Sequence, residues 1–175
     1  MTRRVSTVLF VLAALIFVPM ALEAARAARN ERAQRARGGV EAAGDVYRVM
    51  RLVYPASFAA MLVEGVARGP APSWALATGA LMFAAAKAVK WSAIAALGRA
   101  WTFRVIVVPG DPLSTAGPYR YVRHPNYIGV IGELAAVALM TGARLAGPAS
   151  LLLFGALIAK RIGVEERALQ PEPWR

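Results

Sequence analysis

Apolar residues gather along this chain in five stretches nearly free of charge. The first runs uncharged from Val5 to Leu22, long enough to cross a hydrocarbon core of roughly 30 Å as a helix. The second covers about Leu52 to Ala67, interrupted by Glu64 near its far end. The third runs from Trp74 to Leu97 and carries Lys87 and Lys90 in its second half. A fourth extends from about Tyr127 to Ala143 around Glu133, and a fifth from Leu145 to Ala159. The last two are short, and only Gly142 to Pro148 is available to turn between them, which predicts a tight helical hairpin. The pattern predicts an all-α integral membrane protein of about five transmembrane helices. One membrane domain would fill residues 1–175, with three helices in 1–97 and the loop, hairpin and final helix in 98–175. Arg3-Arg4 before an apolar run also suits a cleaved signal peptide. The arginines directly after that run resist translocation, however, and favour a retained span.

Composition sharpens this picture. Of 175 residues 58% are hydrophobic, against the ~45–50% usual for soluble domains. With no cysteine there is no disulfide framework, thiol nucleophile or Cys-ligated zinc, and a single histidine removes a His-rich metal site. The net charge of +11 suits nucleic acid or a membrane surface. Most basic residues lie between apolar runs, so the membrane reading wins and nucleic acid is not expected as a partner. An outward N-terminus with five spans leaves only Arg3, Arg4, Arg68 and Arg144 outside, a strong positive-inside bias. The inner side then holds the Arg26–Arg51 connection, the segment Gly98–Asn126 and the C-terminus. Arg26, Arg29, Arg32 and Arg35 line one side of a helix leaving the membrane. They read as an anchor on anionic headgroups, at ~1 kcal/mol per residue, ahead of a docking patch for an acidic partner. Lys87 and Lys90 are expected to snorkel to the inner interface, and Glu64 to sit near the outer one without a functional role. Ala and Arg richness points to a GC-rich bacterial genome, hence an inner membrane. The sequence sets no oligomeric state.

The chemistry concentrates between Arg104 and Gly129. Pro109, Pro112, Pro118 and Pro125 forbid a continuous helix there, and Val105–Val108 favours extended backbone. Irregular backbone beside a membrane is tolerated where protein or a cavity covers it, and a bound ligand would supply the reason for order. The string Gly117-Pro-Tyr-Arg-Tyr-Val-Arg-His-Pro-Asn-Tyr-Ile-Gly129 is followed, after the hairpin, by Arg161-Ile-Gly-Val-Glu-Glu-Arg-Ala-Leu169. Together they resemble the isoprenylcysteine carboxyl methyltransferase family, to which phospholipid N-methyltransferases are more distantly related. Leu97-Gly-Arg-Ala-Trp101 resembles the family's end of the preceding helix, so the likeness covers Leu97 to Leu169. It implies S-adenosylmethionine as methyl donor, a cytoplasmic cofactor-binding loop, no metal, and a small lipophilic acceptor entering from the bilayer among the membrane lipids. Carried over by position, Tyr119, His124, Pro125, Asn126 and Tyr127 would line the cofactor pocket. Asp111 to Ser114 would close over it, with Leu113 the best matched. Glu165 would bind the cofactor and Arg161 would face the acceptor.

Those residue types suit that ligand. A carboxylate such as Glu165 can accept from an ammonium, and His124 or a nearby backbone N–H can serve a carboxylate or ribose. Tyr119 and Tyr127 offer π faces to the adenine or the sulfonium, at ~0.5–2 kcal/mol. Each also has a plainer reading. His124 could be satisfied by a neighbouring carbonyl, the tyrosines could form an interfacial belt (the reading adopted for Tyr121), and Arg161 with Glu165 could be an ordinary i,i+4 pair. Arg before Glu is the weaker order for such a pair. Glu166 and Arg167 read as solvated. Glu133 lies inside the fourth apolar stretch, where an ionisable group usually faces a partner or cavity. Two roles stand open for it: a neutral, hydrogen-bonded packing residue, or part of the acceptor tunnel acting as catalytic general base.

After Leu169 only Gln-Pro-Glu-Pro-Trp-Arg follows, where the family continues with an aromatic, charged tail. The expectation is a more open site, one covered by the Arg26–Arg51 connection, or an incomplete one. Two other classes compete with methyl transfer. Sterol C14-reductases, which use NADPH, share an Arg-His-Pro-x-Tyr region, and a non-catalytic scaffold could keep the fold. A phenolic lipid, an isoprenoid acid or a small thiol would each fit as acceptor.

Overall fold

The computed structural model describes residues 2–112 and 114–169. Its helices are α1 (Thr2–Ala36), α2 (Tyr47–Arg68), α3 (Ser73–Leu97), α4 (Pro125–Thr141) and α5 (Ala146–Ala168). Two residue pairs form a minimal antiparallel ladder: β1 (Val40–Glu41) meets β2 (Ile106–Val107), with Val40 opposite Val107 and Glu41 opposite Ile106. Thr7–Ala36, Tyr47–Arg68, Ser73–Ala100 and Ala146–Ala168 are each long and apolar enough to cross a membrane; α4 is shorter but equally apolar in character. Phe10, Leu15, Leu22, Leu52, Leu81 and Leu152 face outward, as lipid contact requires, since no water is displaced by burying them elsewhere. The protein is an all-α membrane protein.

The first helix outruns its apolar stretch. Ala and Arg are strong helix formers, so α1 continues to Ala36, about 52 Å in all, and its last turns project beyond the hydrocarbon. Asn30 fixes them by donating to the carbonyls of Gly98 (3.0 Å) and Trp101 (2.7 Å), and Gln34 donates to that of Arg99 (2.9 Å). Glu41 then ties the α1–α2 connection to the loop after α3. Its carboxylate accepts from Arg35 and Arg104, both at 2.6 Å. Burial raises its pKa, but the two guanidinium bonds outweigh that and hold it below the ordinary range.

Small residues set the tightest helix contact, α3 against α4. A Cβ on Gly129 would stand 2.7 Å from the Lys90 Cβ and 3.0 Å from the Ala86 carbonyl oxygen, while one on Gly132 would stand 2.9 Å from the Ala86 Cβ. Because Lys90 Cβ cannot swing aside, Gly129→Ala should force the helices apart at about 1–3 kcal/mol, the usual cost of overpacking. A melting temperature in detergent that matches the wild type would show that the helices yield freely there.

The α4–α5 hairpin is as tight as its sequence predicts. Gly142 adopts a left-handed conformation (φ 65°) and its N–H meets the Ala138 and Leu139 carbonyls, a helix stop that disfavours other residues. Glu64, for which no functional role was expected, has a structural one. Its carboxylate accepts from the backbone N–H groups of Arg144 (2.9 Å), Leu145 (3.1 Å) and Ala146 (2.7 Å). It caps the N-terminus of α5 from α2, satisfying amides that the helix itself leaves open.

Candidate active site

At the end of the bundle where α1, α3 and α5 finish, four predicted residues meet. Pro125 occupies the first position of α4, where its fixed φ suits a helix start and its missing N–H costs nothing. That start places His124 just outside the helix and Tyr127 one turn in, facing the last turns of α5. Arg161 Nε donates to the Tyr127 hydroxyl (2.8 Å) and to Glu165 Oε1 (3.3 Å), and the Tyr127 hydroxyl donates to the same Glu165 oxygen. His124 Nδ1 lies 3.4 Å from Glu165 Oε2, and its ring stacks on Tyr127 at 5.8 Å between centroids. Burial and then the Glu165 charge raise the pKa of the Tyr119 phenol, so it remains protonated and a donor at neutral pH.

Two polar atoms of this region are buried and lack a hydrogen bond among the described residues: His124 Nε2 and Asn126 Oδ1. Glu166 Oε1, at 3.5 Å from the first, is within electrostatic reach but not bonded. Orphaned buried polar atoms are costly, and a ligand rich in hydroxyl and amino groups is what such atoms fit. Leu113 lies outside the described residues, as do Gln170 to Arg175. Of the loop expected to close over the pocket, Asp111 is tied to Arg37 (2.6 Å) and the Ser114 hydroxyl donates to the Ala96 carbonyl (3.3 Å).

A residue outside the sequence reading joins the cluster. Asp45, from the connection before α2, receives Arg161 Nη1 at 3.1 Å. The sequence signal was modest: an Asp two residues before a helix start, whose side chain accepts from the Tyr47 N–H (3.0 Å) in a common capping pattern. The α1–α2 connection therefore touches the cluster through Asp45.

Glu133 belongs elsewhere, bonded neither to Arg161 nor to Glu165. It sits with Glu23 from α1, Lys87 and Lys90 from α3 and Tyr54 from α2. Lys90 Nζ lies 2.6 Å from Glu23 Oε2 and 3.4 Å from Glu133 Oε1. Lys87 Nζ lies 3.1 Å from Glu23 Oε1 and 3.2 Å from Glu133 Oε1. The Tyr54 hydroxyl donates to Glu133 Oε2 (2.6 Å), and the Lys90 ammonium sits over the Tyr54 ring. This corrects one expectation: Lys87 and Lys90 do not snorkel, because each pairs with Glu23 and Glu133 inside the bundle. Glu133 also lines neither of two apolar cavities, of about 260 and 250 Å³, that lie between α1, α3 and α4 around Leu12, Leu76 and Met140.

Fold and cluster together define a helical membrane protein with a polar side-chain cluster at one end of its bundle. The model of the isoprenylcysteine carboxyl methyltransferase (ICMT) family matches residues 78–171, from within α3 through the end of α5. The chain is 30% identical over 162 residues to "Uncharacterized protein YpbQ" of Bacillus subtilis (strain 168), covering 92% of this chain and 96% of that protein. It is 25% identical over 142 residues to an "Uncharacterized protein" of Haemophilus influenzae (strain ATCC 51907 / DSM 11121 / KW20 / Rd), covering 81% and 83%. No solved structure matches it significantly. The chain belongs to the isoprenylcysteine carboxyl methyltransferase family, and membership supports a membrane methyltransferase in general.

Proposed function

We propose that this protein is an S-adenosylmethionine-dependent methyltransferase of a bacterial inner membrane. Its N-terminus faces outward and the His124–Glu165 site faces the cytoplasm. The acceptor is the O, S or carboxylate of a small lipophilic molecule entering from the bilayer. The observation that carries this reading is the convergence on Glu165 of Tyr127, Arg161 and His124 beside the two orphaned polar atoms. Glu165 and Asp45 outnumber Arg161 in the cluster, so a cationic ligand is favoured over an anionic one. Glu165 would hold the amino-acid ammonium, Asn126 Oδ1 and His124 Nε2 would meet ribose or adenine donors and acceptors, and Tyr119 and Tyr127 would flank the rings. When bound, the cofactor supplies a sulfonium-activated methyl group. The chain's own residues then need only orient the acceptor and exclude water, and positioning alone can account for about 7–11 kcal/mol of a barrier. Arg161 keeps its Nη2 unbonded among the described residues. That makes it a natural partner for an anionic acceptor oxygen, which needs no general base.

Thermal unfolding in detergent, with S-adenosylmethionine, S-adenosylhomocysteine or NADPH added, tests the reading. Both adenosyl ligands should stabilise the protein, by about 2.7 kcal/mol at a hundred times Kd, and NADPH should not. Stabilisation by NADPH alone would replace methyl transfer with reduction; no response to any of the three would leave a scaffold.

A further inference from the structure

We propose that Asp45 is a positioning residue for the transfer step, acting through Arg161; this rests on the methyltransferase reading above. Its side chain is 3% exposed, and every bond it makes goes to a different part of the chain. Oδ1 accepts from the Tyr47 N–H at the start of α2 (3.0 Å) and from Arg161 Nη1 on α5 (3.1 Å). Oδ2 accepts from the Val105 N–H just before β2 (2.9 Å). The adjoining Ala42 N–H to Val105 carbonyl bond (2.8 Å) extends the β1–β2 ladder to the same place. A carboxylate pinned by two backbone amides from separate segments has little freedom to follow a moving guanidinium. It therefore sets where Arg161 can rest.

The other side of Arg161 is equally occupied. Nε is engaged by the Tyr127 hydroxyl and Glu165. Fixed at Nε and at Nη1, the planar guanidinium has one orientation, and only Nη2 remains to meet an acceptor. Removing the Asp45 charge would leave Glu165 as the sole carboxylate on Arg161 among the described residues. The guanidinium could then turn about its Nε anchor, and small displacements of a positioning group cost large factors in rate. Glu165 itself keeps its place on α5, so cofactor affinity should change little.

The test compares the full-length wild type, Asp45→Asn, Arg161→Lys and the double variant in detergent micelles. S-adenosylhomocysteine binding is measured by calorimetry, and turnover by transfer of labelled methyl from S-adenosylmethionine to a total lipid extract of the host. Asp45→Asn should slow transfer about 10- to 100-fold while moving the S-adenosylhomocysteine Kd less than about threefold. Added to Arg161→Lys, it should slow transfer less than about twofold further, because its effect runs through the same guanidinium. A full second loss in the Arg161→Lys background overturns the proposal, as does a loss of rate matched by an equal loss of affinity, which is what a merely structural role produces. Asp45→Glu, which keeps the charge but shifts it by one methylene, serves if the Asn variant fails to fold and should transfer more slowly than the wild type at an unchanged S-adenosylhomocysteine affinity; full wild-type rate there overturns the proposal. A wild type that does not bind S-adenosylhomocysteine sinks the methyltransferase reading itself and takes this inference with it, an outcome distinct from normal binding with an unaffected Asp45→Asn rate.

Discussion

Glu133→Leu should cost about 3–5 kcal/mol, enough to leave little folded protein, whereas Glu133→Leu combined with Lys90→Met should recover most of that loss. The reason is charge balance inside the bundle. Glu23, Lys90 and Glu133 side chains are 1–3% exposed, and Lys87 15%, so two carboxylates and two ammonium groups cancel in a setting that solvates neither sign well. Lys90 lies about 10 Å back from the end of α3 by helical rise, within the zone lipid tails occupy. Deleting one carboxylate leaves an ammonium without its counter-charge, and also leaves the Tyr54 hydroxyl without its acceptor. Deleting one of each sign restores neutrality with apolar groups of similar bulk. Melting curves in detergent decide it: a single variant as stable as the wild type would mean that water reaches the cluster. The double variant also settles which of its two sequence-derived roles Glu133 has. If it folds and still transfers methyl groups, Glu133 is a packing residue and no general base is drawn from it.

The same cluster shows what the sequence could and could not reveal. Each apolar stretch became a helix because lipid demands about the same run of uncharged residues whatever the neighbours do. The turn around Gly142 and the Arg161–Glu165 spacing are local signals and were legible for that reason. Val105–Val108 read as extended and supplies β2, but its partner Val40–Glu41 carries no pattern in two residues. Lys87 and Lys90 were misread because their counter-charges come from α1 and α4, at positions 23 and 133, and nothing along the chain states how far one helix slides past another. Asp45 was missed for a related reason. Its capping bond to Tyr47 is local, while its bonds to Val105 and Arg161 exist only once three segments have closed over one another. The helical extension of α1 beyond Leu22 was legible in its Ala- and Arg-rich sequence, whereas its docking through Asn30 and Gln34 onto the carbonyls after α3 is again a tertiary event.

Glu165→Ala should weaken S-adenosylmethionine binding about 10- to 100-fold, the equivalent of one charge-assisted hydrogen bond network at about 1.5–3 kcal/mol. Glu166→Ala should change it less than about twofold. The two residues are chain neighbours with the same chemistry, so the contrast isolates geometry. Glu165 is 22% exposed and receives Tyr127, Arg161 and His124 together, whereas Glu166 is 47% exposed and, among the described residues, reaches only Arg123 at 3.7 Å and His124 at 3.5 Å. Arg123 is itself 87% exposed, and such surface pairs contribute almost nothing. Losing Glu165 also removes the carboxylate that raises the Tyr119 phenol pKa, so the phenol should titrate at lower pH in that variant, with burial still keeping it above the ordinary value. Calorimetric titration of both variants beside the wild type reads the first effect, and ultraviolet titration of the tyrosines the second. Equal, small losses of affinity from the two glutamates would remove Glu165 from the cofactor site. A shift in tyrosine titration without a loss of affinity would leave its electrostatic reach intact but assign the cofactor ammonium to another group.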